Sequence, residues 1–335
     1  MGSEKVELDN QSNLSYRHRN TIIIASLILI IAFMMLPQFI SNYLATVMIF
    51  LFTYVILAES YDIFSGYSGY YNLGHGSFFG LGAYAFAVFS GGLRGGYTPV
   101  IEPGFPIYIS IPLAILISVL FAIGLSVPFF RLRGAYFSVA TFGLVLLLFY
   151  LANNLRPISG GPEGLHLLKD GDFTVFDAYY LLFPVVVLSV IINYWVSKSK
   201  LGLALISIRE DEDVAIEYGI NSYRAKTKAL IISAALASYA GCGFAYGLYI
   251  INPTGIFGLE MAFAPIVMTI FGGAGSFIGP ILGVSILTII QESLWTQFAY
   301  FHLFTYGILL LVVGLLAPGG IVRLRWIRKL FKPPA

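Results

Sequence analysis

The residues best suited to chemistry lie in one glycine-rich stretch, 58–84, between two apolar runs. It reads AESYDIFSGYSGYYNLGHGSFFGLGAY and contains Glu59, Asp62, Asn72 and His75. Ionisable side chains surrounded by apolar sequence are rare and usually bind solutes or carry protons. The first hypothesis is therefore a pathway for a small solute, and the second is a proton relay through Glu59, Asp62 and His75.

The same stretch predicts a broken helix, because glycine and polar groups together favour irregular backbone that lines a polar cavity. The substrate pathway is assigned to residues in and beside 65–76, namely Asp62, Gly66, Tyr67, Gly69, Tyr70, Asn72, Gly74 and His75. For His75 alone, the simpler alternative is a hydrogen bond to a neighbouring backbone carbonyl. Gly80 and Gly82 are interpreted as contacts between closely packed helices.

Covalent catalysis is not predicted. The chain has one cysteine, Cys242, in an apolar stretch where a small core residue is the ordinary interpretation. The ATP-binding pattern G-x-x-x-x-G-K-[ST] does not occur, and FGGAGSFIGP at 271–280 resembles it only in glycine content. We therefore predict no catalytic residue, no metal site, no cofactor and no ATP site, and we interpret 271–280 as a tight turn.

The composition indicates a membrane environment. The 335 residues are 58% hydrophobic and 11% charged, with a mean hydropathy of +0.84. Soluble globular domains have about 25% charged residues, so this chain is predicted to be an integral membrane protein. Its net charge of +2 gives no reason to expect nucleic acid as a partner.

Apolar runs long enough to cross a bilayer, about 20 residues each, divide the chain. We predict an all-α, polytopic fold of about eight to ten spans with broken or re-entrant segments. The candidate spans are roughly 21–40, 43–63, 77–91, 107–129, 136–153, 178–196, 229–250, 259–271, 277–292 and 298–316. The pair 259–271 and 277–292 is short, and forms either two full spans or two half-helices of a re-entrant hairpin. The membrane domain is 21–317, between a tail at 1–20 and a basic tail at 318–335.

Positively charged residues in short loops predict the orientation, because they collect on the cytoplasmic side of a membrane. With 21–40 as an uncleaved first span, the cytoplasmic positive residues are Arg17, Arg19, Arg131, Arg133, Lys198, Lys200, Arg209, Arg224, Lys226, Lys228, Arg323, Arg325, Arg328, Lys329 and Lys332. The outer loops keep only Arg94, Arg156 and Lys169, so both termini are predicted to be cytoplasmic. The turn-rich outer loop 155–168 either shapes the mouth of the pathway or is an ordinary surface loop.

The densest charge lies in the segment 197–228. One helix is expected from Leu203 to Tyr218, ended by Gly219. The predicted apolar side is Leu205, Ile208, Val214, Ala215 and Tyr218, and the predicted solvent side is Arg209, Glu210, Asp211 and Glu212. Helices that lie on lipid usually carry Lys and Arg, whereas this one is acidic, so we expect a protein partner. The alternative is a solvated amphipathic loop at the lipid surface.

Three stretches together resemble the permease subunits of branched-chain amino-acid ABC importers, on the LivM-like side of the pair. SGYSGYYNLGHGSFFGLGAY is similar to that family's G-Y-x-G-x-x-x-L-G-H-x-x-F-x-x-x-G-A-Y. RLRGAYFSVATFG followed by SGGPEGL is similar to its R-L-R-G-x-Y-x-x-x-x-T-x-G and T-G-G-x-x-G-L. The third stretch comprises LGLALISIREDEDVAIEYGIN, ISAALASYAG and FGGAGSFIGPILG, so most of 44–292 is covered.

The resemblance implies a non-catalytic subunit in a prokaryotic inner membrane that carries branched-chain or related hydrophobic amino acids. The implied partners are two ABC ATPase subunits, a second homologous permease and an extracytoplasmic solute-binding protein. Asp213-Val214-Ala215 and Gly219 stand at the spacing of an E-A-A-x-x-x-G coupling loop, whose helix docks in a groove of the ATPase. The implied coupling residues are Arg209, Glu210, Asp211, Asp213, Val214, Ala215 and Gly219.

Two positions depart from the family pattern. Asp62 stands where asparagine is expected, and Glu163 stands where asparagine or aspartate is more usual. Permeases of the same superfamily carry urea, short amides or other amino acids, and these are the alternative substrates. A proton-coupled secondary carrier is the alternative from a different class.

Overall fold

A computed structural model describes residues 30–94, 98–167, 174–297 and 320–323. The predicted tail 1–20 and the predicted span 298–316 lie outside the described residues. The span 21–40 is described only from Ile30, and the basic tail 318–335 only at 320–323.

Helices account for most of the described chain. They are α1 Asn42–Tyr61, α2 Gly76–Phe89, α3 Ile107–Phe129, α4 Ala135–Asn154, α5 Arg156–Ser159, α6 Val175–Lys198, α7 Lys200–Glu210, α8 Glu212–Glu217, α9 Ser222–Leu248, α10 Pro253–Phe257, α11 Leu259–Gly272 and α12 Gly279–Gln297. A π-helical turn, Asp62–Gly66, extends α1, and short 3-10 turns lie at Leu36–Gln38, Gly161–Glu163 and Ile321–Arg323.

Among the described residues, six helical segments have the length and apolar composition needed to cross a membrane. They are Asn42–Gly66, Ile107–Phe129, Ala135–Asn154, Val175–Lys198, Ser222–Leu248 and Pro253–Gly272. Two further apolar helices, Gly76–Phe89 and Gly279–Ser293, are shorter. The predicted all-α, polytopic fold class is therefore confirmed.

The predicted bounds need one clear correction, at α9. This helix begins at Ser222 rather than at 229, because Asn221 caps it by accepting a hydrogen bond from the backbone N–H of Arg224. The basic stretch that includes Lys226 is therefore part of this helix. For the pair of short spans, α10 and α11 together reach span length, which favours the full-span alternative for that half of the pair.

Helix α9 forms the centre of the bundle and packs against α1, α2, α3 and α6. Glycines allow the closest of these approaches. A Cβ atom on Gly82 of α2 would lie 2.2 Å from the carbonyl oxygen of Ser238 in α9, and one on Gly241 would lie 2.1 Å from that of Phe79. The helix-packing interpretation of Gly82 is thus confirmed, and a bulkier residue at either position would push α2 away from α9.

The bundle has two distinct ends. At the sheet end, four two-residue strands form an antiparallel sheet in the order β2–β1–β3–β4: β1 Leu93–Arg94, β2 Thr98–Pro99, β3 Leu165–His166 and β4 Ile250–Ile251. Helices α2, α4 and α9 run toward this end, since a strand follows each of them closely. At the opposite end, α6 leads into α7 and α8, which we call the α7–α8 end.

Candidate functional site

The predicted break in the helix is present and lies at the α7–α8 end. α1 continues through the π-helical turn Asp62–Gly66, residues 69–75 are not helical, and α2 begins at Gly76. Gly69 has a φ of +73°, which favours glycine. A Cβ on Gly66 would lie 1.9 Å from Oδ1 of Asp62, so the tight turn requires glycine there as well.

Asp62 connects this break to the turn between α11 and α12 through a hydrogen bond. Its buried carboxylate accepts a hydrogen bond from the backbone N–H of Gly275 at 2.6 Å and another from Asn193 Nδ2 at 3.2 Å. The same amide nitrogen donates to Oε2 of Glu59, which is also fully buried. Asp62 therefore holds together α1, α6 and the predicted tight turn 271–280, and that turn is confirmed.

His75, Asn72 and Gly74 build the returning loop. Nε2 of His75 lies 2.9 Å from Oγ of Ser60, and Nδ1 lies 3.5 Å from Oγ of Ser233. Among the described residues no hydrogen bond joins His75 to Glu59 or Asp62, so the three do not form a continuous relay. Asn72 Oδ1 accepts from the N–H of Gly74 at 3.0 Å, which shapes the turn itself.

The segment predicted as one helix, 203–218, is two helices, and this prediction is wrong. The chain turns at Asp211, which has an extended backbone with φ −159° and ψ 115°. Its Oδ1 caps α8 by accepting from the N–H groups of Asp213 at 2.9 Å and Val214 at 3.0 Å. Aspartate at this position competes with helix continuation by offering the backbone another acceptor. The predicted stop at Gly219 is confirmed, with a φ of +86°.

The break at Asp211 also redistributes the two faces. Leu205, Ile208 and Ala215 are buried as predicted, whereas Val214 and Tyr218, predicted on the same side, are 45% and 85% exposed. The reason is that α8 takes its own direction after the turn and does not continue the apolar stripe of α7.

Glu212 is also corrected, because its predicted solvent position is wrong. Its side chain is 14% exposed and accepts a hydrogen bond from Lys226 Nζ at 2.7 Å, while the Lys226 side chain is only 2% exposed. The hydroxyls of Tyr70 and Ser222 also donate to this carboxylate. Burial raises the pKa of Glu212, but the hydrogen bonds from Lys226, Ser222 and Tyr70 outweigh it, so the net pKa is lowered.

Lys226 also lies over aromatic rings. Its Nζ is 4.2 Å from the ring centroid of Tyr70 and 5.2 Å from that of Phe130. A cation over a ring face is attracted to the ring's negative face, so Tyr70 contributes both a hydroxyl and a ring. The residues Tyr70, Glu212, Ser222 and Lys226 are called the Glu212 cluster below.

Arg209 makes the second link between α7 and the break. Its Nη1 donates to the carbonyl oxygen of Gly66 at 3.2 Å, and its side chain is 32% exposed. The side chain passes close to two glycines, since a Cβ on Gly69 would lie 2.6 Å from its Cγ and one on Gly275 would lie 2.9 Å from its Nη1. By contrast, the pair of Arg133 with Asp213, bidentate at 2.9 Å, is 58% and 71% exposed and contributes little stability.

The predicted pathway residues and the predicted charged segment thus meet at one place, which is called the junction below. Tyr70, Gly66 and Gly69 of the pathway set contact Glu212 or Arg209 of the charged segment, at the α7–α8 end of the bundle. The remaining pathway residues Asp62, Tyr67, Asn72, Gly74 and His75 are buried. Of the coupling set, Glu210, Asp213, Val214 and Gly219 face outward, and Ala215 is buried.

Sequence reasoning missed Lys226 and Asn193 as members of this junction. Lys226 enters the sequence prediction only as a cytoplasmic positive residue, and no local pattern pairs it with Glu212, which lies 14 residues earlier. Asn193 is a polar residue inside an apolar run, which is itself a sign of function or of buried pairing. Gly275 contributes only its backbone N–H, for which the sequence carries no direct signal.

Comparisons with known proteins agree with the motifs. The family model described as branched-chain amino acid transport system / permease component matches residues 43–313. Two similar proteins are the high-affinity branched-chain amino acid transport system permease proteins LivM of Salmonella typhimurium and of Escherichia coli. Each is 28% identical to this chain over 298 residues, which cover 80% of this chain and 67% of the relative. The corresponding BraD of Pseudomonas aeruginosa is 27% identical over 290 residues, 81% of this chain and 91% of its own length. No solved structure matches the chain at a comparable significance.

Proposed function

The chain belongs to the family of branched-chain amino acid transport permease components, and on this premise we propose that it is the membrane subunit of an ABC importer. Its cargo is a branched-chain or related hydrophobic amino acid. Transport is powered by separate ATPase subunits, and this chain performs no catalysis itself. A second permease and an extracytoplasmic solute-binding protein complete the complex.

The observation that carries this proposal is the direct contact between the α7–α8 segment and the broken helix. The outer surface of α7 and α8 is acidic at Glu210 and Asp213 and apolar at Leu203, Val214 and Tyr218. Such a mixed surface suits a protein partner better than an anionic lipid surface. The inner surface of the same segment holds Arg209 and Glu212, which bind the break.

The proposed mechanism is a mechanical transfer from α7–α8 to the break. When the ATPases close on ATP, they displace α7 and α8 as a unit. The Glu212 cluster and the Arg209–Gly66 hydrogen bond transmit that displacement to residues 69–75, which have no helical hydrogen-bond ladder to resist it. The helices on either side then rotate as packed bodies, which exchanges outward and inward access.

The orientation follows the same logic. The α7–α8 end carries Lys198, Lys200, Arg209 and Arg224, so the positive-inside rule supports a cytoplasmic position for it. The sheet end then faces the solute-binding protein. We retain 1–20 and 318–335 as cytoplasmic tails of a membrane domain at 21–317, in a prokaryotic inner membrane.

The test is reconstitution of the whole complex in proteoliposomes with radiolabelled leucine. We expect uptake that requires ATP, both ATPase subunits and the loaded binding protein. Urea and a short amide are included as competitors, and stronger competition by them than by isoleucine would reassign the cargo. Leucine uptake by the lone chain, driven by a proton gradient without ATP, would instead establish the secondary carrier.

A further inference from the structure

A cavity of about 500 Å³ lies toward the sheet end, away from the junction. It is lined by residues of α1, the end of α9, β4, α10, the start of α11 and α12. None of the residues that the sequence assigned to the pathway lines it. Its volume falls within the range of small-molecule sites, and Val47, Phe50, Leu248 and Met261 form an apolar wall.

Two buried polar atoms on residues that line the cavity lack hydrogen-bond partners among the described residues. Thr288 is 7% exposed, and its Oγ1 accepts or donates no hydrogen bond among the described residues. The same holds for Oε1 of Gln291, one turn further along α12. Buried polar atoms are nearly always hydrogen-bonded, so two unmet atoms that line one cavity indicate a polar group that the cavity receives.

The charge of the residues that line the cavity indicates the charge of the polar group that it binds. Glu260 and Glu292 both line the cavity, and no lysine, arginine or histidine is found among its lining residues in the described part of the chain. Gln291 Nε2 donates to Glu260 Oε1 at 3.1 Å, and the hydroxyl of Tyr43 donates to Glu292. The outcome is a wall rich in acceptors, which favours a cation with N–H donors.

We propose that this cavity is a binding site for the transported amino acid, with its α-ammonium group against Thr288, Gln291, Glu260 and Glu292 and its aliphatic side chain against the apolar wall. β4, the edge strand of the sheet, lines the same cavity, and an edge strand presents backbone N–H groups that suit the α-carboxylate. The assignment rests on the proposed function and adds where the substrate is held.

The test measures how fast a cysteine placed in the cavity of the full complex reacts with charged thiol reagents. Thr288→Cys is treated with a cationic aminoethyl and an anionic sulfonatoethyl methanethiosulfonate reagent. The native Cys242 is fully buried and serves as an unreactive background. We expect the cationic reagent to react at least about tenfold faster, because a cleft of one charge sign concentrates the opposite charge. Glu260→Gln should lower that ratio, and leucine delivered by the binding protein should slow labelling.

Thr98→Cys is the matched control, since Thr98 is an exposed threonine at the same end that does not line the cavity. Its labelling should be the same with the leucine-loaded and with the empty binding protein. Gln291→Cys is the second reporter if Thr288→Cys does not assemble. Equal rates with both reagents, or labelling that leucine does not slow, would overturn the site.

Two further outcomes separate the possible errors. Reaction in the lone chain but not in the complex would mean that a partner subunit fills the cavity, which also overturns the site. A wild-type complex without ATP-dependent leucine uptake contradicts the proposed function, whereas a transporting complex with an unselective cavity contradicts this site alone.

Discussion

The buried pair of Lys226 with Glu212 gives the sharpest prediction. Replacement of Glu212 by glutamine keeps the size of the side chain but leaves the ammonium of Lys226 without its counter-charge. At the observed 2.7 Å, Coulomb attraction is about 6 kcal/mol for an effective dielectric constant of about 20. Desolvation offsets much of this attraction, and loss of one partner of a buried pair costs about 3–5 kcal/mol. We expect Glu212→Gln to lower the free energy of unfolding by about 3 kcal/mol, at the low end of this range, since the Tyr70 ring and an amide oxygen still face the ammonium.

A double variant separates the charge from the packing. Glu212→Gln combined with Lys226→Met removes both charges, and we expect it to recover stability to within about 1 kcal/mol of the wild type. The exposed pair of Arg133 with Asp213 is the matched control, because Asp213→Asn should cost only about 0–1 kcal/mol. The measurement is equilibrium unfolding of the purified chain in mixed detergent micelles.

The pH dependence provides an independent check on the same pair. The pKa of Glu212 is lowered from 4.5 in the folded chain, so the unfolded chain binds its proton at higher pH. The pair therefore stabilises the fold fully above the unfolded pKa, and this stabilisation is lost as the pH falls through the folded pKa. The difference in unfolding free energy between wild type and Glu212→Gln should be full at neutral pH and should narrow as the pH falls below the unfolded value of 4.5. A single variant as stable as the wild type at pH 7, or a double variant no better than the single, would refute the reasoning.

The other predictions concern glycines and caps. Gly82→Ala places a Cβ 2.2 Å from a carbonyl oxygen of α9 and should prevent assembly of the bundle. Gly124→Ala is the control, because nothing lies within 4 Å of the added Cβ, and it should be neutral or slightly stabilising in the same unfolding assay. Gly69→Ala forces alanine to a φ of +73° against Arg209 and should cost about 1–2 kcal/mol while lowering leucine uptake per ATP hydrolysed; unchanged coupling would argue against the transfer route. Charge reversal at Glu210 should weaken co-purification of the ATPase without loss of stability. Charge reversal at Asp211 should also lower the free energy of unfolding by about 1 kcal/mol, because it removes the cap of α8. Intact co-purification of the Glu210 variant would count against docking at this surface.

The junction gives the α7–α8 segment two different surfaces with two different tasks. Its outer residues, such as Glu210 and Val214, are exposed, and its inner residues contact the broken helix through Arg209 and Glu212. A substitution on the outer surface should therefore change assembly, while one on the inner surface should change coupling within an assembled complex.

The sequence alone determined the membrane class, the approximate helix bounds and the break near 65–76. These features are local, because hydrophobicity over a window of about 20 residues defines a span and glycine with polar residues interrupts a helix. The family motifs were readable for the same reason, since each is a short continuous stretch.

Only the tertiary structure decided which charges are buried and what they bind. Glu212 was expected in solvent because it falls on the polar side of a single helix over 203–218, yet it pairs with Lys226, 14 residues away, and with Tyr70, 142 residues away. Such partners meet only when α9 and the break pack together around α8, and no periodicity in the sequence encodes that encounter. The turn at Asp211 combines a local and a tertiary contribution, because the Asp211 side chain caps α8 and the neighbouring Glu212 is paired with Lys226 of α9.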